Sequence, residues 1–347
     1  MNIMMVGPSS DAKGGIATVI NNFKYYFNHS YITIFYYTSW KEGNLFQKML
    51  HSLLVILKFP FRVKQNKIDI VHIHMAQDGS FYRKSMLFII ARIMKVQTIL
   101  HVHASQFDEF YQKQSSLKKR YTKWVFESAD SVVVLSETWK SFYESIAEAN
   151  FIVIENAVNV PEENQYRSES KSIVSFGRLG KRKGTFDILK VAKEIEARHP
   201  EYKFVLYGDG DIQEVKQEIT KNQLTNVEIG GWISGSEKEK ILNECRLHLL
   251  PSYQEGMPMA ILETMAHGIP NISSTVGGIP KVIESGINGI LIESGNIAEL
   301  EKAILLLLED NVVNSQISAA SYQTIQKHFS IKNYHKKWSD LYKNTVN

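Results

Sequence analysis

"SIVSFGRLGKRKGTFDILKVAKEIEARHPEYKFVLYG", residues 172–208, reads as a strand, a basic glycine turn, a helix over 184–198 and a second strand. Its two strands are rich in β-branched and aromatic residues, the composition of a pleated, buried element. The same alternation recurs on both sides. Before it, strands are predicted at 2–6, 31–39, 68–75, 96–104, 131–136 and 151–158, with helices at 16–27, 45–66, 85–95, 115–128 and 137–149. After it, strands are predicted at 226–233, 247–252, 269–275 and 289–294. Helices are predicted at 211–221, 236–243, 258–267, 279–285 and 297–309, with more helix to the end.

Strands that alternate with helices form parallel sheets covered on both faces. A polar stretch, "PEENQYRSESK" (161–171), interrupts the alternation and reads as a linker. The fold class is therefore α/β, with two doubly wound, Rossmann-like domains, 1–163 and 164–330, facing a cleft. Sheets of this kind bind ligands at the carboxyl ends of their strands. A length of 347 residues fits two domains.

Composition narrows the setting. The single cysteine, Cys245, excludes an internal disulfide and suits a reducing, cytoplasmic location. The start of the chain lacks the charged and long apolar regions of a secretory signal. Apolar runs such as "HSLLVILKFPF" are broken by Lys58 and Pro60, too soon for a membrane span. Net charge is only +4, yet residues 1–124 hold 17 basic and 6 acidic side chains, a balance of +11. The remainder carries 23 and 30, a balance of −7. The first half thus suits an anionic surface.

Several turns carry candidate chemistry. In "GPSSDAKGGIATVI", Gly14 and Gly15 lie between a strand and a helix, where backbone N–H groups can approach an anion, although a plain flexible turn reads the same way. In "FGRLGKRKG", Arg178 ends a strand and Lys183 precedes the helix, a guanidinium and an ammonium suited to a diphosphate. Lys181 and Arg182 read as solvated neighbours. "YGDGD" offers Asp209 and Asp211, either a metal-binding pair or a common glycine turn. "VHIHM" and "LHVHA" each put two histidines on one strand face. Zinc is one reading and buried, hydrogen-bonded histidines the other, favoured for His72, His74 and His101. His103 stands apart at the ligand end of its strand. In "EGMPMAILE", Gly256 and Pro258 place a helix start near Pro258, with Glu255 in the preceding loop and Glu263 on the helix.

Taken together, "SFGRLGKRKG", "YGDGD", "GGWIS" and "LLPSYQEGMPMAILETMAHGIPNISSTVGGIPKVIESGINGILIESGN" resemble, in order and spacing, the family 4 glycosyltransferases. The match is dense over 171–296. In the first half it rests on the glycine turn and the end of the "HVHA" strand. The resemblance implies a GT-B fold, with the last helix, about 331–347, packing back on the first domain. It implies sugar transfer with retention of configuration, no cofactor and no obligatory metal. By position, Arg178 and Lys183 would neutralise the donor diphosphate, with N–H groups from Gly14 and Gly15. Glu255 would contact the donor sugar, and Gly256, Met257, Pro258 and Met259 would line sugar and phosphate. Glu263 would hold the ribose, Trp232 would lie near the base, and His103 would approach the reacting centre. The sequence departs from the usual pattern at Glu155, Ala157, Lys281, Asn296 and the His103-Ala104 pair.

The family's first domain receives the acceptor, and here it is the basic half. Segment 45–66 mixes Leu, Ile and Phe with Lys48, Lys58, Arg62 and Lys64, and "LKKRYTKW" (117–124) adds a second cationic cluster. Such mixtures dock on anionic lipid, or else form the solvated face of a packed helix. The expected partners are a nucleotide sugar, UDP-linked or GDP-mannose, and a saccharide acceptor, lipid-linked, in bacterial surface polysaccharide synthesis at the inner membrane face. No nucleic-acid recognition motif is present. The competing functions are a nonhydrolysing sugar-nucleotide epimerase and an idle nucleotide-sugar-binding protein. A dehydrogenase lacks its dinucleotide fingerprint.

Overall fold

The computed structural model describes residues 1–346 except Glu42 and Ser234. The chain forms two compact units, Met1–Asn156 with Ile331–Asn347, and Ala157–Ser330.

The first unit runs β1 (Asn2–Pro8), α1 (Gly15–Tyr26), β2 (Thr33–Trp40), α2 (Leu45–Gln65), β3 (Ile70–Met75) and α3 (Gly79–Ile93). It continues through β4 (Gln97–Val102), α4 (Phe107–Gln112), α5 (Ser116–Glu127), β5 (Ser131–Val134), α6 (Glu137–Glu144) and β6 (Phe151–Val153). The strands pair in the order β2-β1-β3-β4-β5-β6. Every pairing is parallel. β3 is buried along its whole length, as a central strand covered on both faces must be.

The second unit runs β7 (Ser172–Phe176), α7 (Thr185–Arg198), β8 (Lys203–Tyr207), α8 (Ile212–Lys221), β9 (Val227–Gly231), α9 (Gly235–Asn243) and β10 (Cys245–Leu250). It continues through α10 (Met259–Ala266), β11 (Asn271–Ser274), β12 (Ile290–Ile292), α11 (Ile297–Glu309) and α12 (Asn311–His328). Its six strands are also parallel, in the order β12-β11-β10-β7-β8-β9. The core between this sheet and its helices is aliphatic, with Val191, Ile195, Leu247, Ile272, Ile304 and Leu307 almost wholly out of water.

The last helix, α13 (Ile331–Val346), belongs to the first unit. Its anchor is aromatic. The fully buried Trp338 stacks on His72 with ring centroids 4.4 Å apart and meets Phe23 edge-on. Tyr342 Oη lies 2.7 Å from His72 Nδ1. Lys337 pairs with Glu155 at 2.8 Å, which gives a local reason for the unusual glutamate there.

Four sequence expectations need correction. The 161–171 stretch is no free linker. Tyr166 Oη donates to Asn314 Oδ1 at 2.6 Å and Asn164 Nδ2 to Ser318 Oγ at 3.2 Å, so it is stapled to the second unit and the division falls at Asn156/Ala157 instead of 163/164. The helix predicted at 279–285 is a single 3-10 turn, Ile279–Lys281. The Asn288 side chain accepts from Glu284 N and donates to Val282 O, ending the turn. α3 begins at Gly79 rather than 85, because the charged Arg83 and Lys84 mask its first turns in sequence. α4 was not foreseen; its buried Phe107 packs among Phe81, Phe126 and Tyr143. Among the described residues, no helix is long and apolar enough to cross a membrane.

His72, His74 and His101 lie wholly out of water under α13. His72 Nε2 and His101 Nδ1 are 3.2 Å apart. Burial drives all three pKa values well below 6.5, so the folded protein keeps them neutral. The unfolded chain protonates them near the ordinary ~6.5. Below that pH the unfolded state binds more protons, so stability falls as pH falls, by up to about 1.4 kcal/mol per pH unit for each histidine. Urea titrations at pH 7.0 and about 5.5, followed by tryptophan fluorescence, should show the first unit's midpoint drop. Equal midpoints would contradict neutral burial.

Candidate active site

In the second unit, the turns after β7 and β10 share the carboxyl edge of the sheet, because those strands are neighbours. The basic turn after β7 closes through Lys181–Lys183, one 3-10 turn, with Gly180 N donating to Thr185 Oγ1 at 2.9 Å. Gly184 then adopts φ +70°, and a Cβ there would stand 2.1 Å from Pro251 O. Only glycine permits both that dihedral and that approach. The two turns are further tied by Tyr253 N donating to Arg182 O at 2.8 Å and by the Arg182 guanidinium donating to Gln254 O at 3.1 Å. Arg182 is thus a strut between loops, not the solvated neighbour expected from sequence.

This closure brings Lys183 Nζ onto Glu255 Oε1. Ser252 Oγ donates to the same carboxylate oxygen at 2.8 Å. The two side chains are 14% and 5% exposed, so the pair is largely desolvated. A turn after β11 holds Glu255 from the other side. Gly278 N donates to Gly256 O at 2.6 Å, and a Cβ on Gly277, at φ +57°, would stand 1.9 Å from Glu255 O. In sequence, Gly277 and Gly278 carry no evident role. Their signal was the "GG" itself, which only a backbone approach explains.

Pro258 is extended and precedes the first turn of α10, which begins at Met259. Gly256, Met257, Pro258 and Met259 are buried. Glu263 lies one face along α10 and pairs with Lys238 of α9. Lys238 was missed in sequence, because nothing in its spacing links it to Glu263. Both glutamates that bracket the "EGMPMAILE" stretch therefore carry a lysine. Arg178 is exposed on the turn after β7, where Leu179 bridges to Gly210. Leu179 N donates to Asp209 O at 2.6 Å and Asp211 N to Leu179 O at 3.0 Å, so the "DGD" segment serves this turn through its backbone. Trp232 follows β9 and is 39% exposed.

In the first unit, Gly14 precedes α1 at φ +117° with open space where a Cβ would point, and Gly15 is the first helical residue. The first turn of α1 thus starts at the carboxyl edge of β1 without a side-chain cap hydrogen bond. His103 follows β4, and its N–H continues the ladder by donating to Met75 O at 2.8 Å. Its Nε2 lies 2.9 Å from His74 Nδ1. Burial, with the Lys84 charge adding to it, holds its pKa below the ordinary value, so it stays a neutral imidazole.

His72, His74 and His101 offer nitrogens within 4.8 Å of one another, close enough in distance for a metal. The rings of His72 and His74, however, stack 4.4 Å apart at 20°. An ion in the plane of one ring then lies well out of the plane of the other, which is poor imidazole ligation.

Comparison with known proteins agrees with this fold. The family model described as "Glycosyl transferases group 1" matches residues 159–324, and "Glycosyltransferase Family 4" matches 28–162. The fold resembles that of the Anabaena protein HepE, solved in complex with UDP-glucose, with a TM-score of 0.79 over 99% of this chain and 100% of that one, at 18% identity. Two parallel-sheet units of this kind, matched in this order, define a glycosyltransferase of GT-B architecture. The chain belongs to the family 4 glycosyltransferases. Among its relatives is an uncharacterized 41.2 kDa protein in the cps region of Klebsiella pneumoniae, 26% identical over 88% of this chain and 89% of its own length. Another is the UDP-Gal:alpha-D-GlcNAc-diphosphoundecaprenol alpha-1,3-galactosyltransferase of Escherichia coli, 27% identical over 85% and 79%.

If Lys183 and Glu255 act as one desolvated pair, removing either strands the other's charge. A stability double-mutant cycle of Lys183→Ala and Glu255→Ala should therefore give a coupling of about 1–3 kcal/mol. Additivity within ~0.5 kcal/mol would show that they do not interact.

Proposed function

We propose that this enzyme transfers a sugar, with retention of configuration, from a UDP-linked donor to a lipid-linked saccharide at the inner face of a bacterial membrane, in surface polysaccharide synthesis. One observation carries the membrane and acceptor parts of the reading. α2 exposes Phe46, Met49, Leu50, Leu53, Leu54, Leu57 and Phe61, a stripe at helical spacing, while Val55, Phe59 and Val63 on its other side are buried in the first unit. Lys48, Lys58, Arg62 and Lys64, also exposed, lie among them. A helix that is apolar on both faces and basic between them suits a lipid interface, where each cation adds about 1 kcal/mol on an anionic surface. The E. coli relative, whose name gives a UDP-linked donor and a diphosphoundecaprenol-linked acceptor, supports the same reading. The HepE complex with UDP-glucose and the relative from a cps region support the donor and the setting.

In this reading the second unit binds the donor and the first receives the acceptor. Without donor, Lys183 and Glu255 neutralise each other. When the donor binds, Lys183 turns to the diphosphate with Arg178, and Glu255 is released to the sugar hydroxyls. The cations then stabilise the charge that grows on the leaving diphosphate in the transition state. The backbone of Gly256, Met257, Pro258 and Met259 lines sugar and phosphate, Glu263 holds the ribose hydroxyls, and Trp232 borders the base. N–H groups at Gly14 and Gly15 add to the diphosphate, and neutral His103 serves the reacting end of the sugar. No metal is required in this reading, since the Lys183 and Arg178 charges and backbone N–H donors take its place. The enzyme works in the cytoplasm, peripheral to the membrane.

Flotation with liposomes containing anionic lipid tests the membrane part. Wild type should float at low salt, and Leu53→Glu/Leu57→Glu should stay in the soluble fraction with an unchanged unfolding midpoint; equal flotation of both would refute the α2 surface. For the chemistry, a thermal-shift screen should select UDP over GDP and ADP, adding ~2.7 kcal/mol at about 100 times Kd. Lys183→Ala and Glu255→Gln should each lower kcat/KM by roughly 100-fold or more, and proton NMR of the product should show the donor's anomeric configuration. An inverted product would defeat the retaining assignment.

A further inference from the structure

Lys84 sits on the second turn of α3 with only 4% of its surface exposed. Among the described residues, no carboxylate or other acceptor meets its ammonium, and the same is true of the half-buried Arg83 beside it. A desolvated cation without a partner is unfavourable, and a methionine at 84 would pack as well without that cost. The fold therefore does not explain the residue. Burial and the Arg83 charge lower the Lys84 pKa to about 7, so the ammonium is weakly held in the absence of an anion.

Position adds a second line. Side chains on a helix lean toward its N-terminus, so residues 83 and 84 reach back over the start of α3. The Arg83 guanidinium does so, with Nη1 3.0 Å from where a Cβ on Gly79 would stand. α3 starts at Gly79, just past the carboxyl end of β3 and hence at the ligand edge that β3 shares with β4, and the Lys84 charge is felt by His74 and His103 there. The first turn of α3 holds no acidic residue, and the exposed Asp78 before it makes no side-chain cap. Its N–H groups and the helix dipole thus favour an anion at the same place.

We propose that Arg83, Lys84 and the first turn of α3 form an anion subsite that takes the phosphate or diphosphate group of the acceptor. This rests on the reading of the first unit as the acceptor side. It makes the linking phosphate, and not the saccharide alone, a recognised part of the acceptor.

Isothermal titration calorimetry on the full chain decides it, with inorganic pyrophosphate and geranyl diphosphate as probes, each with and without saturating UDP. Geraniol serves as the uncharged control. Lys84→Met and Arg83→Gln should each weaken both diphosphates roughly tenfold or more and leave UDP affinity unchanged. Lys84→Met should also raise the unfolding midpoint, as a structural lysine would not. Tighter binding of geranyl diphosphate than of pyrophosphate assigns a lipid-linked source; equal binding assigns a free phosphate ligand and removes the acceptor part of the proposal. Unchanged diphosphate affinity in both variants overturns it, as does a parallel loss of UDP, which would mean that the cations serve the donor. If UDP fails to bind wild type, the donor reading falls, while the pyrophosphate titration without UDP still decides the subsite. Arg83→Gln, at a half-exposed position, keeps the test open if Lys84→Met does not fold.

Discussion

All strands within each sheet run parallel, and the placement of chemistry follows from that constraint. A parallel neighbour can be reached only by crossing back over the sheet, so every strand must leave through a turn at its carboxyl end. The basic turn after β7, the Glu255 loop after β10 and the glycine turn after β11 are therefore forced onto one edge of the second unit. In the first unit, the same constraint collects Gly14–Gly15, the start of α3 and His103 on one edge. Apolar packing within each unit, mainly aliphatic in the second and with a large aromatic share in the first, supplies the stability. The turns are left free to carry glycines and charges that would weaken a core.

Those turns are not loose. Gly184 lies against Pro251 O and Gly277 against Glu255 O, at separations that exclude any Cβ. With this backbone contact on both sides, the Glu255 carboxylate is held to Lys183 and Ser252 by geometry rather than by side-chain search. Pre-organisation of this kind lowers the cost of placing charge opposite a substrate. The two lysine–glutamate pairs, Lys183 with Glu255 and Lys238 with Glu263, neutralise both carboxylates.

Much of this was legible in sequence, for definable reasons. Twelve strands were placed because β-branched runs alternate with helices, a local signal. Helix α10 was placed within a residue of its start, because Gly256 and Pro258 fix where it can begin. What escaped was non-local. Lys238 and Glu263 are brought together by the packing of α9 against α10, not by spacing. Arg182 looked solvated because its acceptor is a backbone carbonyl on another loop. The 161–171 stretch looked like a linker because its anchors, Tyr166 and Asn164, find partners about 150 residues away on α12. Lys84 fell just outside the helix predicted at 85–95, and only its burial on α3 sets it apart.

The central claim is that the turns after β7 and β10, with the start of α10, hold the nucleotide sugar. Hydrogen–deuterium exchange of the full chain, with and without UDP at about 100 times Kd, tests it most directly. The account predicts slowed exchange over 177–184 and 255–263, with the sheet cores unchanged. Protection confined to other segments, with UDP bound and these two exchanging as in the free protein, would contradict it.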